Sequence, residues 1–479
     1  MGVSSLGLAP FYSTDNVIGE TRGISSELKI TEMEVFKIKA TSKTKWIFVR
    51  LNTNLGLTGL GEATYSVRYE AKELESFFEL VYDQSPFDIE SYRQRGWIWA
   101  KYAGLEAAAA FCAIEHAMWD LVGKALNVSI YNLFGGKLRN EIPVYANINR
   151  ATIDRSPESF AVNAQKAVGD GFSAIKAAPF DGSVTTEEGI ACIAAMREAI
   201  GPDVKLLIDC HSNFDVELAI TIAEQLEPYN LYWYEEPVAP EKVTETKTIK
   251  SSINQSMAGG ELLLGMDGFA PLCQNQAVDI IMPDVIYCGG IMEGKMIAAM
   301  ATVEDNILVS PHNPWGPVST AACVQLSTGM PNFDILEYQW NEVSWRSDLI
   351  IPPEQFQNGM IPVPDRPGLG IELNDEVIRE HSDQTTVGNN NQEMFSVDPA
   401  YPNPANPATT IGFTLAEADH VTVDIYNIAG QKVDTLIDSK MTAGKHSFIW
   451  DSTRFSSGVY FYSVKSGNFS KTMKFTVLK

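Results

Sequence analysis

Seven short apolar runs, each closing on an ionisable residue, recur between residues 173 and 337, and this beat constrains the fold more than any other feature of the sequence. The runs are Ser173-Ala-Ile-Lys176, Leu206-Leu-Ile-Asp209, Tyr232-Trp-Tyr-Glu235, Ala258-Gly-Gly-Glu261, Ile280-Ile-Met-Pro-Asp284, Ile307-Leu-Val-Ser-Pro-His312 and Phe333-Asp-Ile-Leu-Glu337. Their closing residues lie 33, 26, 26, 23, 28 and 25 positions apart, the length of one βα unit. The stretches between are helical in period, as where Leu218, Ile222 and Leu226 share one face. Parallel strands covered on both sides read as apolar runs, and in a closed βα barrel their C-terminal ends all open on one face, where chemistry collects. One such residue is usually a solvated strand end. Seven in register predict a site.

The rest of the 479 residues divides around this α/β region. With 45% hydrophobic and 20% charged residues the chain is globular in composition, and its length allows two to four domains. Residues 1–26 include an apolar, small-residue stretch, Met1-Gly-Val-Ser-Ser-Leu-Gly-Leu-Ala-Pro10, read as a leader or signal remnant. From Leu28 to about Thr53 apolar and polar residues alternate as in a hairpin, and helical patterns follow over Glu70 to Val81 and Leu105 to Gly123, giving a small α+β block. Barrel-type text starts at about Glu141. Residues 381–398 are polar and low in complexity and read as a linker. Beyond it, Ile411 to Leu415, Val421 to Ile428, His446 to Trp450, Val459 to Val464 and Thr472 to Leu478 predict a small β-sandwich over 399–479.

Charge and cysteine usage remove several classes of function. The net charge is −24, and the tail from 399 carries 8 basic against 6 acidic residues, so the acidity belongs to the preceding domains. Such a surface repels nucleic acid and anionic membranes. The six cysteines are widely spaced without a CxxC, which argues against a disulfide framework or a zinc knuckle. No apolar run reaches the roughly 18–20 residues of a membrane helix.

Asp209, Glu235 and Glu261 close three consecutive runs, so their carboxylates are expected to converge above the barrel. Three oxygen ligands without a thiolate suit a hard divalent ion, Mg²⁺. Lys176 lies one strand earlier, and His211 follows Asp209 by two residues, facing the same side if the strand extends that far. Asp284 closes the run before His312. A carboxylate on one imidazole nitrogen fixes the tautomer and makes the other nitrogen a better base.

These residues resemble the enolase superfamily and, within it, the mandelate racemase and galactonate dehydratase group. The resemblance spans about Leu28 to Val377 and includes Leu133-Phe-Gly-Gly-Lys137. It implies a capping domain over 27–140, completed by about 351–380, and a modified (β/α)7β TIM-type barrel over 141–350 that lacks its last helix. Asp209, Glu235 and Glu261 match the Mg²⁺ ligands, with Glu235 rather than Glu236 as the ligand of the Glu-Glu-Pro motif. Met282-Pro-Asp284, Gly289-Gly-Ile291 and Ser310-Pro-His-Asn-Pro-Trp-Gly-Pro317 match the strands of the Asp–His dyad, and Glu337 the glutamate that bonds the enolate side of the substrate. The racemases' Lys-x-Lys is replaced by Lys176-Ala-Ala178, while Asp209-Cys-His211 resembles the dehydratases' Asp-x-His. The implied activity is a hydro-lyase on a sugar acid. His312, oriented by Asp284, takes the proton α to the carboxylate, Lys176 and Glu337 help stabilise the enediolate, and His211 protonates the leaving 3-hydroxyl, giving a 2-keto-3-deoxy acid. Two readings compete with it: a cycloisomerase or epimerase of the same family, and an inactive surface binding protein. Selectivity is expected from loops near Ala40 to Lys45 and Tyr65 to Arg68.

The tail is similar to the C-terminal sorting domain of the type IX secretion system of Bacteroidota. The matching motifs are Tyr401-Pro-Asn-Pro-Ala-Asn-Pro407, Ile425-Tyr-Asn-Ile-Ala-Gly430, Ser456-Ser-Gly-Val-Tyr460 and Lys474-Phe-Thr-Val-Leu-Lys479. That resemblance implies the secretion machinery as partner and delivery through the periplasm to the cell surface or medium. A homo-oligomer is left open.

Overall fold

The computed structural model describes residues 27–479 apart from 42–43, 65–71, 183, 304–306, 388–395, 398–399, 416–417, 429–430 and 468. The expected leader, half of the linker, residues 42–43 of one selectivity loop and the whole of the other, Tyr65 to Arg68, therefore lie outside the described residues. The chain forms two compact units, residues 1–387 and 388–479. Among the described residues no helix is long and apolar enough to cross a membrane.

The first unit opens with three antiparallel strands, β1 (Ile30–Lys39), β2 (Lys45–Thr53) and β3 (Thr58–Thr64), with Val35 opposite Val49 and Val49 opposite Gly61. The hairpin rhythm predicts the first two; β3 escapes it because Thr58-Gly-Leu-Gly-Glu-Ala-Thr reads as a turn. Its glycines have a packing reason. A Cβ on Gly59 would meet the Ala117 carbonyl oxygen at 2.1 Å, and one on Gly61 the Ala113 oxygen at 1.8 Å. The largely buried helix α1 (Leu105–Leu126), rich in alanine over its first turns, thus lies directly on the strand backbone. After the barrel the chain returns to this domain through a helix at Asp375–His381 and a strand at Ser382–Val387 that pairs with β1. The expected linker therefore starts too early: residues 382–387 pair with an open edge of β1, and that edge outweighs the run's polarity.

Eight parallel strands follow: β4 (Glu141–Asn147), β5 (Ala174–Ala177), β6 (Lys205–Asp209), β7 (Trp233–Glu235), β8 (Met257–Gly259), β9 (Ile280–Ile281), β10 (Leu308–Val309) and β11 (Leu336–Gln339). They pair in chain order, β11 pairs back onto β4, and Val309 bridges Phe333 just before β11, which closes the barrel. Among the described residues seven α-helices connect the eight strands, and β11 is followed only by a short 3-10 turn at Arg346–Leu349 before the chain leaves the barrel. The period-2 rule places the site. Tyr145, Ala174, Leu207, Trp233, Ala258, Ile280 and Ile335 form an apolar cluster inside the barrel, and their intervening neighbours Ile175, Leu206, Ile208, Tyr234 and Leu336 join the core beneath the helices. Two residues beyond the inner layer, on the same side, come Asn147, Lys176, Asp209, Glu235 and Glu337.

The second unit packs two antiparallel sheets around Ile411, Phe413, Val423, Ile425, Trp450, Tyr462 and Phe475. One holds Ser396–Val397, Ala408–Leu415 and Gly444–Asp451; the other runs Lys432–Met441, Asp419–Asn427, Gly458–Ser466, Phe469–Val477. Lys432–Met441 is absent from the expected strands because it is an edge strand with one buried side chain, Ile437, and so lacks a hydrophobic alternation.

Candidate active site

Three carboxylates meet at the mouth of the barrel. Asp209 ends β6, Glu235 ends β7, and Glu261 stands two residues beyond β8, each offering an oxygen within 4.8 Å of the others. All three are buried. Glu236 faces elsewhere: its Oε1 accepts the backbone N–H groups of Gly260 at 2.7 Å and Glu261 at 3.2 Å. A φ of 38° at Glu236 turns the chain between the two glutamates.

Lys176, on β5, is buried among the acids. Its Nζ contacts Glu235 Oε1 and lies 3.2 Å from Asp209 Oδ2 and 3.7 Å from Glu337 Oε1. Glu337, on β11, is held on both oxygens, by Asn147 Nδ2 at 2.6 Å and by the Asn313 backbone N–H at 2.9 Å.

Each of two histidines is seated between carboxylates. His312 Nδ1 is 2.8 Å from Asp284 Oδ2, which also accepts Trp315 Nε1 at 2.7 Å, while Nε2 faces Glu261 Oε2 at 3.2 Å and Glu337 Oε2 at 3.8 Å. His211 Nδ1 is 2.6 Å from Asp181 Oδ1, and Nε2 is 3.0 Å from Asp209 Oδ2. The expected geometry at His211 needs correction, since β6 stops at Asp209 and does not carry His211 inward by strand alternation. A turn with φ 45° at His211 and 59° at Ser212 brings the ring back over the strand end.

The electrostatics of this cluster fit a cation. Burial, then Asp209, Glu261 and Glu337, push the Glu235 carboxyl well above the usual range despite Lys176. Burial also raises Glu261 against the pull of His312. Against its own burial, Asp209 is held well below that range by Lys176 and His211. One ammonium thus serves several buried acids, and Glu261 Oε2, although 3.2 Å from His312 Nε2, accepts no hydrogen bond among the described residues. An all-oxygen set with an unsatisfied buried oxygen suits a hard divalent ion. Both imidazoles resist the effect of burial: His312 rises to about 10 under Glu261, Glu337 and Asp284, and His211 to about 11 under Asp209 and Asp181. Two of those carboxylates belong to the trio, so a cation drawing on their charge would lower both imidazoles.

The chain is similar to known proteins over this region. Residues 159–377 match the enolase C-terminal domain-like family, and residues 26–135 match the mandelate racemase / muconate lactonizing enzyme N-terminal domain. A D-gluconate/D-galactonate dehydratase of Picrophilus torridus is 31% identical over 70% of this chain and 88% of its own length.

The chain belongs to the enolase superfamily.

A D-galactarolactone cycloisomerase of Agrobacterium fabrum is 32% identical over 70% of this chain and 90% of its own. The crystal structure of an enolase superfamily member from Salmonella Typhimurium superposes with a TM-score of 0.69 at 30% identity, covering 75% of this chain and all of that one. Residues 399–478 match the secretion system C-terminal sorting domain.

All eight residues singled out from the sequence, Lys176, Asp209, His211, Glu235, Glu261, Asp284, His312 and Glu337, come together at this mouth of the superfamily barrel. Four partners escape that reading. Asn147 ends β4 one beat before Lys176 and could have been found by extending the beat backward. Asn313 and Trp315 lie inside the His312 motif. Asp181 sits in a loop and leaves no signal.

Proposed function

We propose that this chain is a Mg²⁺-dependent acid-sugar dehydratase carried to the cell surface or medium by its C-terminal unit. Asp209, Glu235 and Glu261 would hold the ion. When bound, Mg²⁺ supplies a Lewis acid that makes the proton α to a carboxylate acidic enough to remove. His312 removes it: Asp284 occupies Nδ1 and fixes the tautomer, leaving Nε2 as the basic nitrogen turned toward Glu261 and Glu337. Lys176 offsets charge on Asp209, Glu235 and Glu337 at once, which eases the approach of an anionic substrate. Glu337, held on both oxygens, presents a fixed edge to that substrate. His211, more exposed than His312 at 39% against 9%, is placed to protonate a departing hydroxyl. The loss of that hydroxyl as water yields a 2-keto-3-deoxy acid.

The observation that carries this reading is the joint presence of the carboxylate trio and two carboxylate-held imidazoles that reach different members of it, Asp209 and Glu261. The similarity to D-gluconate/D-galactonate and D-xylonate dehydratases supports the substrate class. The likeness to a galactarolactone cycloisomerase favours one alternative, expulsion of a ring oxygen by the same α-carbanion chemistry. The test is incubation of the full-length protein with Mg²⁺ and a panel of C5 and C6 sugar acids, with products weighed by mass spectrometry. Dehydration removes one water from the mass; an unchanged mass with a rearranged product would establish cycloisomerisation instead.

The match of the tail to the secretion sorting family supports export through the type IX machinery. It is tested by locating the full-length and tail-less proteins in a host that has this system.

A further inference from the structure

Asp181 is not among the residues expected from the sequence. Resting on the dehydratase reading, we infer that it is a positioning residue for the general acid, holding His211 by Nδ1 so that Nε2 delivers the proton to the leaving hydroxyl.

His211 has no strand to orient it, because β6 ends at Asp209. Its backbone stands in the left-handed region, φ 45°, followed by Ser212 at 59°, a conformation that strains a residue bearing a Cβ. Such a turn persists where surrounding contacts hold it, and two do. The His211 backbone N–H donates to Asp209 Oδ1 at 2.9 Å, and the Ser212 N–H donates to the Glu236 carbonyl at 2.7 Å. The ring itself is fixed at both nitrogens, with Nδ1 2.6 Å from Asp181 Oδ1 and Nε2 3.0 Å from Asp209 Oδ2.

These two carboxylates differ in what they can do. Asp209 belongs to the metal trio, so its hold on Nε2 gives way when that nitrogen turns to a substrate oxygen. Asp181 belongs to the loop after β5, outside the trio, and its other oxygen lies 3.6 Å from Arg155 Nη2, a guanidinium also anchored on the Ala178 carbonyl. Asp181 therefore stays on Nδ1 throughout. The arrangement repeats the Asp284–His312 pair, where Nδ1 is 2.8 Å from its carboxylate.

The proton balance follows. The pair of electrons left when the C2 proton goes to His312 becomes the C2–C3 π bond. The C3–O pair leaves with oxygen, which takes the Nε2 proton of His211 and departs as water, and the enol then becomes the 2-keto acid. His211 ends neutral with its remaining proton on Nδ1, the tautomer that Asp181 accepts as a hydrogen bond. Without Asp181 the neutral ring can keep its proton on Nε2 and can rotate about its side chain.

The test uses full-length Asp181→Ala and Asp181→Asn with Mg²⁺ and D-gluconate or D-galactonate in D₂O, following two rates: deuterium entry at C2 and formation of the dehydrated product. Asp181→Ala should leave C2 exchange within about threefold of wild type and lower product formation by on the order of 10²-fold, the scale of general-acid catalysis. Asp181→Asn, whose amide oxygen still accepts the Nδ1 proton, should recover part of the loss. A parallel fall of both rates, or unchanged product formation, would overturn the assignment. Crystal structures of the full-length wild type and Asp181→Ala give a readout free of substrate. The His211 ring should lie over the end of β6 in the wild type and leave that place in Asp181→Ala; an unmoved ring would overturn the assignment. If the wild type neither exchanges nor dehydrates any acid, the dehydratase reading fails by itself, and the structures still decide whether Asp181 holds the ring.

Discussion

Replacing Glu235 by Gln tests the register of the proposed metal site, because the adjacent Glu236 is an internal control of the same size. In Glu235→Gln the fold keeps a side chain of equal volume, while the trio drops from three carboxylates to two beside Lys176. A unit charge pair at about 4 Å with an effective dielectric of 20 is worth about 4 kcal/mol, and a dication touching a carboxylate stands to lose at least that order, so Mg²⁺ affinity should fall about 10³-fold. Glu236→Gln should change it by no more than about threefold. Burial and the charge of Glu261 push the Glu236 carboxyl up to about 8, so a neutral amide is close to its own state at pH 7, and the amide oxygen can still accept from Gly260 and Glu261. The assay is calorimetric titration with Mg²⁺ of each variant, with thermal melting to show that it is folded. Loss of binding in Glu236→Gln with retention in Glu235→Gln would put the ligand register off by one. Near-wild-type affinity in Asp209→Asn, Glu235→Gln and Glu261→Gln alike would refute the site.

Asp284→Asn keeps the volume beside His312 but weakens tautomer control, and α-proton exchange measured by NMR should slow by roughly 10²-fold. His116 is buried, with Nε2 3.0 Å from the Val285 carbonyl and Nδ1 unpartnered among the described residues, and burial pushes it down to about 4. A depressed folded pKa means that its stabilising contribution is complete above about 6.5 and is lost as pH falls toward 4. Urea unfolding of wild type and His116→Gln across that window should differ by on the order of 3 kcal/mol over the full span, and parallel curves would contradict this. Truncation after Asn391 should leave Mg²⁺-dependent activity near the full-length value while abolishing surface delivery. Truncation after Glu380 also removes the strand on β1, and its melting temperature should fall below that of the longer truncation.

How far the site could be read from the sequence depended on whether a residue's position follows from chain periodicity. Lys176, Asp209, Glu235 and Glu337 sit one strand period above an apolar barrel layer, so alternation alone puts them at the mouth. His211 reaches the same place through a left-handed turn, which no periodicity encodes. Asp181 reaches it from a loop whose course is set by tertiary contacts. The same division holds for the fold. β1 and β2 announce themselves by alternation, whereas β3 is hidden by the glycines that let α1 approach its backbone. In the tail, Asp419–Asn427 alternates visibly because one face is buried, and Lys432–Met441 does not because it is an edge.

The central claim is that His312 removes the proton next to the substrate carboxylate and His211 acts only afterwards, on the leaving group. The most direct measurement is deuterium incorporation at C2 of a turned-over sugar acid in D₂O with Mg²⁺, compared between His312→Asn and His211→Asn. His312→Asn should show no incorporation, and His211→Asn should exchange the C2 proton while making little or no dehydrated product. Wild-type exchange in His312→Asn, or exchange lost only in His211→Asn, would contradict the account.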